Sequence, residues 1–274
     1  MRRIGFAGLV LALCLLVAGA SRAAMLELTG SFEQGGLVRG TTIPGATLTL
    51  DGHPILVSPD GNFLFGFGRE APEASVLAVH WPDGTSEERH LTIAKRTYDI
   101  QRIDGLPQET VTPDPKLLER IKREADNIRA LRAVPSTDTD AFGPLIWPAV
   151  GPISGVYGSQ RILNGEPRAP HMGVDVAAPP GTPVVAALGG TVRLASELFL
   201  TGNTIMIDHG YGLTTSYAHL SRMDVTAGQA VRQGEQIGAI GATGRVTGPH
   251  LHWGMEWFGL RLDPQLAVGP MPVQ

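Results

Sequence analysis

Cysteine is almost missing: the 274-residue chain has one, Cys14. It falls inside an N-terminal apolar run, and Leu13 before it is too large for a lipoprotein processing site, so a lipid anchor is not expected. A chain cut after that run would have no disulfide and no thiolate, which leaves any metal to histidine and carboxylate ligands. Lysine is scarce as well, limited to Lys95, Lys116 and Lys122. The formal net charge is −4, and no basic stripe offsets it. That excludes nucleic-acid binding driven by counterion release. The apolar run Ile4 to Val17 is shorter than the roughly 20 residues of a spanning helix.

What is present begins with a leader. Arg2 and Arg3 precede the apolar run, and small residues follow, with cleavage expected after Ala20 or Ala23. Residues 1–23 therefore read as a signal peptide. The expected location is exported, in the periplasm or cell envelope, with no stable membrane insertion once the signal is removed.

The fold class expected is mainly β, in three parts. Residues 25–95 read as a small β-sandwich-like, Ig-like domain. Ala46, Leu48 and Leu50 alternate with threonines, as do Phe63, Phe65 and Phe67 with their neighbours, and Asp51-Gly52 and Asp60-Gly61 mark turns. Residues 96–140 read as a connector with one helix at about 115–133. Asp114 is its N-cap, Pro115 its first residue, and Leu117, Leu118, Ile121, Ala125, Ile128 and Leu131 recur at helical spacing. That stripe should cover one of the two domains, or else make a dimerising helix. Residues 141–274 are rich in glycine and short β-type runs, which predicts an antiparallel β domain.

Five of the eight histidines lie in this last part: His171, His209, His219, His250 and His252. His171-Met-Gly-Val-Asp175 is unsuited to a helix, and in a straight strand its ends would stand roughly 13 Å apart. A shared metal needs a bend, which Gly173 would permit. In His250-Leu-His252, both imidazoles face the same side of a strand. Either both bind a metal, or one binds and the other stands beside it. Two neutral histidines and one aspartate would leave a bound Zn²⁺ with net positive charge and an open position. The remaining histidines suit proton transfer and oxyanion stabilisation.

The segments His171-Met-Gly-Val-Asp175-Val-Ala-Ala-Pro-Pro-Gly-Thr-Pro-Val184, Tyr217-Ala-His219-Leu and Gly248-Pro-His250-Leu-His252-Trp resemble the lysostaphin/LytM family of zinc endopeptidases over roughly residues 142–265. The resemblance implies an antiparallel β metallopeptidase domain with a narrow groove. His171, Asp175 and His252 would bind Zn²⁺, and His219 and His250 would be catalytic, one as general base and one as oxyanion stabiliser, with the two roles left undivided. Arg161, Asn203 and Tyr211 match further positions and would line the groove; His209 is expected to be structural. The implied function is an exported zinc metalloendopeptidase acting on peptide cross-links or stem peptides of peptidoglycan. The alternatives are a non-catalytic amidase activator or wall-binding protein, and a peptidase acting on proteins. Protein partners are not specified, and the N-terminal domain could bind wall, act as a spacer or cover the groove.

Overall fold

The computed structural model describes residues 26–272 apart from Pro107 and Pro135. The expected signal peptide and Cys14 lie outside the described residues. Within them the chain is mainly β with antiparallel sheets, as the alternating patterns predict.

The N-terminal part is a sandwich. Three strands (Leu26–Gly30, Leu37–Thr42, Asn62–Gly66) form one sheet, and four (His53–Ile55, Thr47–Leu50, Ala74–His80, Ser86–Thr92) form the other. The inward residues of the alternating runs make its core: Leu48, Leu50, Phe63, Phe65, Leu77, Val79 and Trp81. This sandwich does not stand apart. Leu37 and Leu64 enter the core of the larger domain, and Arg39 Nε donates to Ala141 O at 3.1 Å. Arg96 meets the buried Asp263 at 2.8 Å.

The larger domain is a ten-stranded sheet. Along its main path run Ala230–Val231, Gly190–Leu198, Gly202–Gly210, Leu213–Met223, His250–Trp257, Val174–Ala177 and Ile153–Gly155. The strand Leu213–Met223 is central. It pairs with Gly202–Gly210 on one side and His250–Trp257 on the other, and its far end pairs with Gln236–Ile240. One face of the sheet is the core, built on Val174, Val176, Ile205, Ile207, Tyr217, Leu251, Trp253 and Met255.

A buried polar chain stiffens this core. The Tyr217 hydroxyl accepts from Ala187 N–H at 2.9 Å and lies 2.9 Å from Thr215 Oγ1. Thr215 Oγ1 is 2.8 Å from His209 Nε2, and His209 Nδ1 donates to Gly189 O at 2.6 Å. His209 is thus a fully buried structural group. Tyr217→Phe should lower the unfolding free energy by about 1–2 kcal/mol, because the Ala187 N–H is left buried without an acceptor. Denaturant unfolding measures it, and an unchanged midpoint would contradict the network.

His209 also predicts a pH effect. Burial pushes its pKa down from 6.5 to about 4. Between those values the unfolded chain binds a proton that the folded chain does not. The contribution of His209 to stability is therefore complete above about pH 6.5 and is lost as pH falls through about 4. His209→Gln should flatten the decline of unfolding free energy over that window. The same slope in both proteins would count against this assignment.

The connector contributes three elements. Ile100–Ile103 pairs in parallel with Gln160–Leu163, placing Gln101 opposite Arg161. Gln108–Val111 makes a single helical turn. The helix Pro115–Arg132 follows, with the Asp114 carboxylate accepting from Leu117 N–H at 2.9 Å. Arg120 pairs with Glu124 at 2.6 Å, one turn away. Ile128 and Leu131 pack on Leu194, Leu198 and Met206 of the large sheet, on the face away from the core. No residue of this helix is fully buried, and Leu118 is 52% exposed.

Candidate metal centre

Strand alternation builds the centre. On His250–Trp257, Leu251, Trp253 and Met255 face the core at 0% exposure, so His250, His252, Gly254 and Glu256 face the other way. Antiparallel register sets His252 beside Asp175 on one side and Ala218 on the other. His171 precedes the strand Val174–Ala177, where its backbone N–H donates to Ser159 O at 2.8 Å.

These three side chains converge. Asp175 Oδ1 is 3.0 Å from His171 Nε2 and 2.9 Å from His252 Nδ1, and the two ring nitrogens are 2.9 Å apart. His171 Nδ1 donates to Val156 O at 3.1 Å, which leaves the Nε2 lone pair directed at the cluster. Three donors turned on one point cannot all be satisfied by one another. Nitrogen and oxygen ligands placed about 2.0–2.1 Å from one Zn²⁺ would be spaced by about this much. The donor set N₂O therefore fits a zinc ion with an open position, and this trio is a group able to hold a metal.

Close packing holds the trio in place. Arg161 Nη2 donates to Asp175 Oδ2 at 2.9 Å, while its Nε faces Gln101 Oε1 at 3.4 Å. A Cβ on Gly155 would fall 2.3 Å from Asp175 Oδ2. Gly173 acts differently from the bend expected of it. Its φ is not in the left-handed region, and its role is clearance: a Cβ there would lie 2.7 Å from His252 Cε1.

His219 and His250 stand next to the trio. Their ring centroids are 4.8 Å apart, and His219 lies 6.1 Å from His252. Simple alternation would send His219 into the core with Tyr217. Instead its φ of 65° turns the ring out to the centre, a backbone state that costs a non-glycine residue energy. Thr201 O accepts its backbone N–H at 2.9 Å. His219 Nδ1 donates to Thr243 O at 2.8 Å and His250 Nδ1 to Gly248 O at 2.9 Å. Each Nε2 is then the unprotonated nitrogen, and that of His250 lies 3.8 Å from Asp175 Oδ1.

The electrostatics follow from burial and proximity. Burial opposes the charge on Asp175, yet the ring nitrogens of His171 and His252 close beside it hold its carboxyl well below the usual range. Burial pushes His219 down to about 3, helped by His252 and His250. Burial likewise lowers His252 to about 4, opposed by Asp175. Both rings are therefore neutral near pH 7, as ligands and proton acceptors must be.

The other expected groove residues differ in placement. Arg161 is at the centre, against Asp175. Asn203 is a brace: its Nδ2 donates to Leu220 O at 3.0 Å, and its backbone N–H donates to Thr243 Oγ1 at 3.0 Å. Tyr211 lies away from the centre, in the turn after Gly202–Gly210, buried and packed on Phe142 at 4.7 Å. Its φ in that turn is 49°. Sequence reading missed Thr243, whose carbonyl sets the His219 tautomer, and did not place residues of the expected connector at the centre. A cavity of about 150 Å³ at the centre is walled by Asp175, His219 and His250 and also by Gln101, Ile103 and Leu106. A larger cavity, about 680 Å³, is mostly apolar and opens between the two domains, off the histidine cluster.

Parts of the chain match known proteins. Residues 169–264 match the sequence profile of peptidase family M23. Peptidoglycan DD-endopeptidase ShyC of Vibrio cholerae is 40% identical over 120 residues, covering 43% of this chain and 28% of the relative. DD-carboxypeptidase/endopeptidase Mpg of Neisseria meningitidis is 44% identical over 102 residues, 37% of this chain and 24% of the relative. The matches thus span about a quarter of the length of these relatives. A crystal structure assigned to peptidase M23 from Pseudomonas aeruginosa is 29% identical, with a TM-score of 0.67, over 87% of this chain and 96% of that one. The chain carries a peptidase family M23 domain, which spans residues 169–264.

Proposed function

We propose that this chain is a zinc-dependent endopeptidase that cuts peptide bonds of peptidoglycan in the cell envelope. The observation that carries the reading is the convergence of His171, Asp175 and His252 on one point with His219 and His250 at its edge. The relatives named as peptidoglycan DD-endopeptidases supply the substrate class. A non-catalytic amidase activator would not need five intact groups with two tautomers fixed.

In this reading His171, Asp175 and His252 hold the zinc. When bound, the ion supplies a Lewis acid able to polarise a carbonyl and to lower the pKa of water to about 7. Arg161 holds Asp175 by Oδ2, which leaves Oδ1 turned to the ring nitrogens of His171 and His252. His219 and His250 each present an unprotonated Nε2, so either can take a proton, and the same nitrogen once protonated can donate to a developing oxyanion. The carbonyls of Thr243 and Gly248 hold the Nδ1 proton in place throughout.

The connector covers this centre on two sides in the described state. Gln101, Ile103 and Leu106 wall the cavity at His219 and His250. The helix Pro115–Arg132 lies on the groove face of the sheet, over a cavity of about 90 Å³ that reaches His252. A cross-linked peptide needs that face, so we read this as a closed form. No helix among the described residues is long and apolar enough to cross a membrane.

The test is digestion of purified sacculi beside a denatured protein. Soluble muropeptides with new amino termini, and no protein fragments, are expected. Equal digestion of both would make the chain a general peptidase instead, and fragments from neither would overturn the enzyme reading.

A further inference from the structure

Glu256 is a feature the reaction does not use. It shares the groove face with His252, four residues further along the same strand, a distance of roughly 13 Å. Gly254 stands between them, and the side chain of Ser216, its neighbour in register, lies close over it: a Cβ on Gly254 would fall 2.6 Å from Ser216 Oγ. The Glu256 side chain is 2% exposed, and burial raises its pKa. Its Oε1 accepts from Arg132 Nη2 and from Arg261 Nη1, both at 2.5 Å. Its Oε2 is buried with no hydrogen-bond partner among the described residues.

The two arginines differ in origin. Arg261 sits directly opposite Glu256 on the neighbouring strand Leu260–Leu262, so it belongs to the sheet. Arg132 is the last residue of the connector helix, which is held by few apolar contacts. The cavity of about 90 Å³ beneath the helix is lined by His252, Ala218 and Ser216 at one end and by Arg132 and Arg261 at the other. The cavity therefore runs from His252 to Arg132 and Arg261, the two guanidinium groups that hold the buried Glu256. When the helix lifts, Glu256 keeps Arg261 on Oε1, and its Oε2, which has no partner among the described residues, would be uncovered on the groove face.

We propose that Glu256 is a recognition subsite for a protonated amine on the substrate peptide, and that Arg132 fills this subsite in the closed form as an internal mimic. The spacing suits a peptide whose diamino-acid side chain sits one or two residues from the cleaved bond. The substrate's identity rests on the endopeptidase reading; the recognition of an amine is a binding event that can be measured without turnover.

The experiment compares two probes, a short peptide bearing a lysine side chain and the same peptide acetylated at Nε. Binding to the full-length zinc-loaded chain is followed by calorimetry. Arg132→Gln should bind the amine form at least fivefold tighter than wild type does, with the acetylated form much less affected. Adding Glu256→Gln should remove the preference for the amine. Glu256→Asp in the Arg132→Gln background keeps the charge but shortens its reach, and should reduce the preference; it serves if the Gln pair melts early. A preference for amine over acetyl that is unchanged by substitution at Glu256, or no binding of either peptide, overturns the subsite. Digestion of sacculi is read separately. Sacculi cut by a protein with a flat amine preference would sink the subsite alone, and a preference that tracks Glu256 with sacculi uncut would support the subsite while sinking the endopeptidase.

Discussion

His252→Ala is expected to leave the protein folded, without stoichiometric zinc, and at least a thousandfold slower on sacculi. The loss is large because His252 supplies one of only three donors, and its Nδ1 lies 2.9 Å from both of the others. Its removal leaves Asp175 with Arg161 and His171, enough to keep the carboxylate paired but too few ligands for a tight zinc site. His219→Ala is the contrast. It removes no donor of the trio, so zinc should stay, while hydrolysis should fall by about 10²–10⁴ for a lost proton-transfer or oxyanion group. Metal analysis and rate measured on the same samples separate the two effects. Retained zinc in His252→Ala would show that the ligand set is wrong.

Charging the underside of the connector helix should have the opposite effect. Ile128→Asp with Leu131→Asp is expected to raise hydrolysis of sacculi about tenfold or more over the full-length wild type. Both side chains pack only partly against Leu194, Leu198 and Met206. Loss of that apolar contact is worth roughly 2 kcal/mol, and a shift of that size in a closed–open equilibrium changes the open population by more than tenfold. The remaining ties are polar: Arg120 to Glu197 at 3.2 Å, the Glu124 carboxylate accepting from Phe199 N–H at 3.0 Å, and Arg132 to Glu256. Solvent competes with the more exposed of these, so they hold the helix weakly on their own. A rate no higher than wild type, with the helix shown to be displaced by faster amide exchange, would mean that the covering is not inhibitory.

Much of this architecture could be read before any coordinates, because it rests on local rules. Asp114-Pro115 marks the helix start through capping geometry, and the phenylalanine alternation at Phe63 and Phe65 marks a buried strand. The shared face of His250 and His252 follows from the two-residue period of a strand. What stayed hidden depends on contacts distant in sequence or on backbone that departs from its period. His219 reaches the centre only through a left-handed residue inside a long strand, and alternation alone points it into the core. Gly173 invites the explanation of a bend, yet a Cβ there would meet the Trp253 carbonyl and the His252 ring, about eighty positions away. The helical stripe shows that something is covered; that it is the groove is fixed by Leu194, Leu198 and Met206, which no pattern within 115–133 reports. The pairing of Gln101 with Arg161 is likewise a parallel strand contact across some sixty residues, with no local signature.

The central claim is that one zinc ion, held by His171, Asp175 and His252, drives peptide release from the wall. Its most direct test is a single titration. The full-length chain is stripped with a chelator, zinc is returned stepwise, and bound metal and muropeptide release are followed together. The account predicts no release from the stripped protein, and a rise that saturates at one zinc per chain. Release that persists without metal, or a protein that takes up one zinc and frees no peptide from sacculi even with the connector helix loosened, would contradict it.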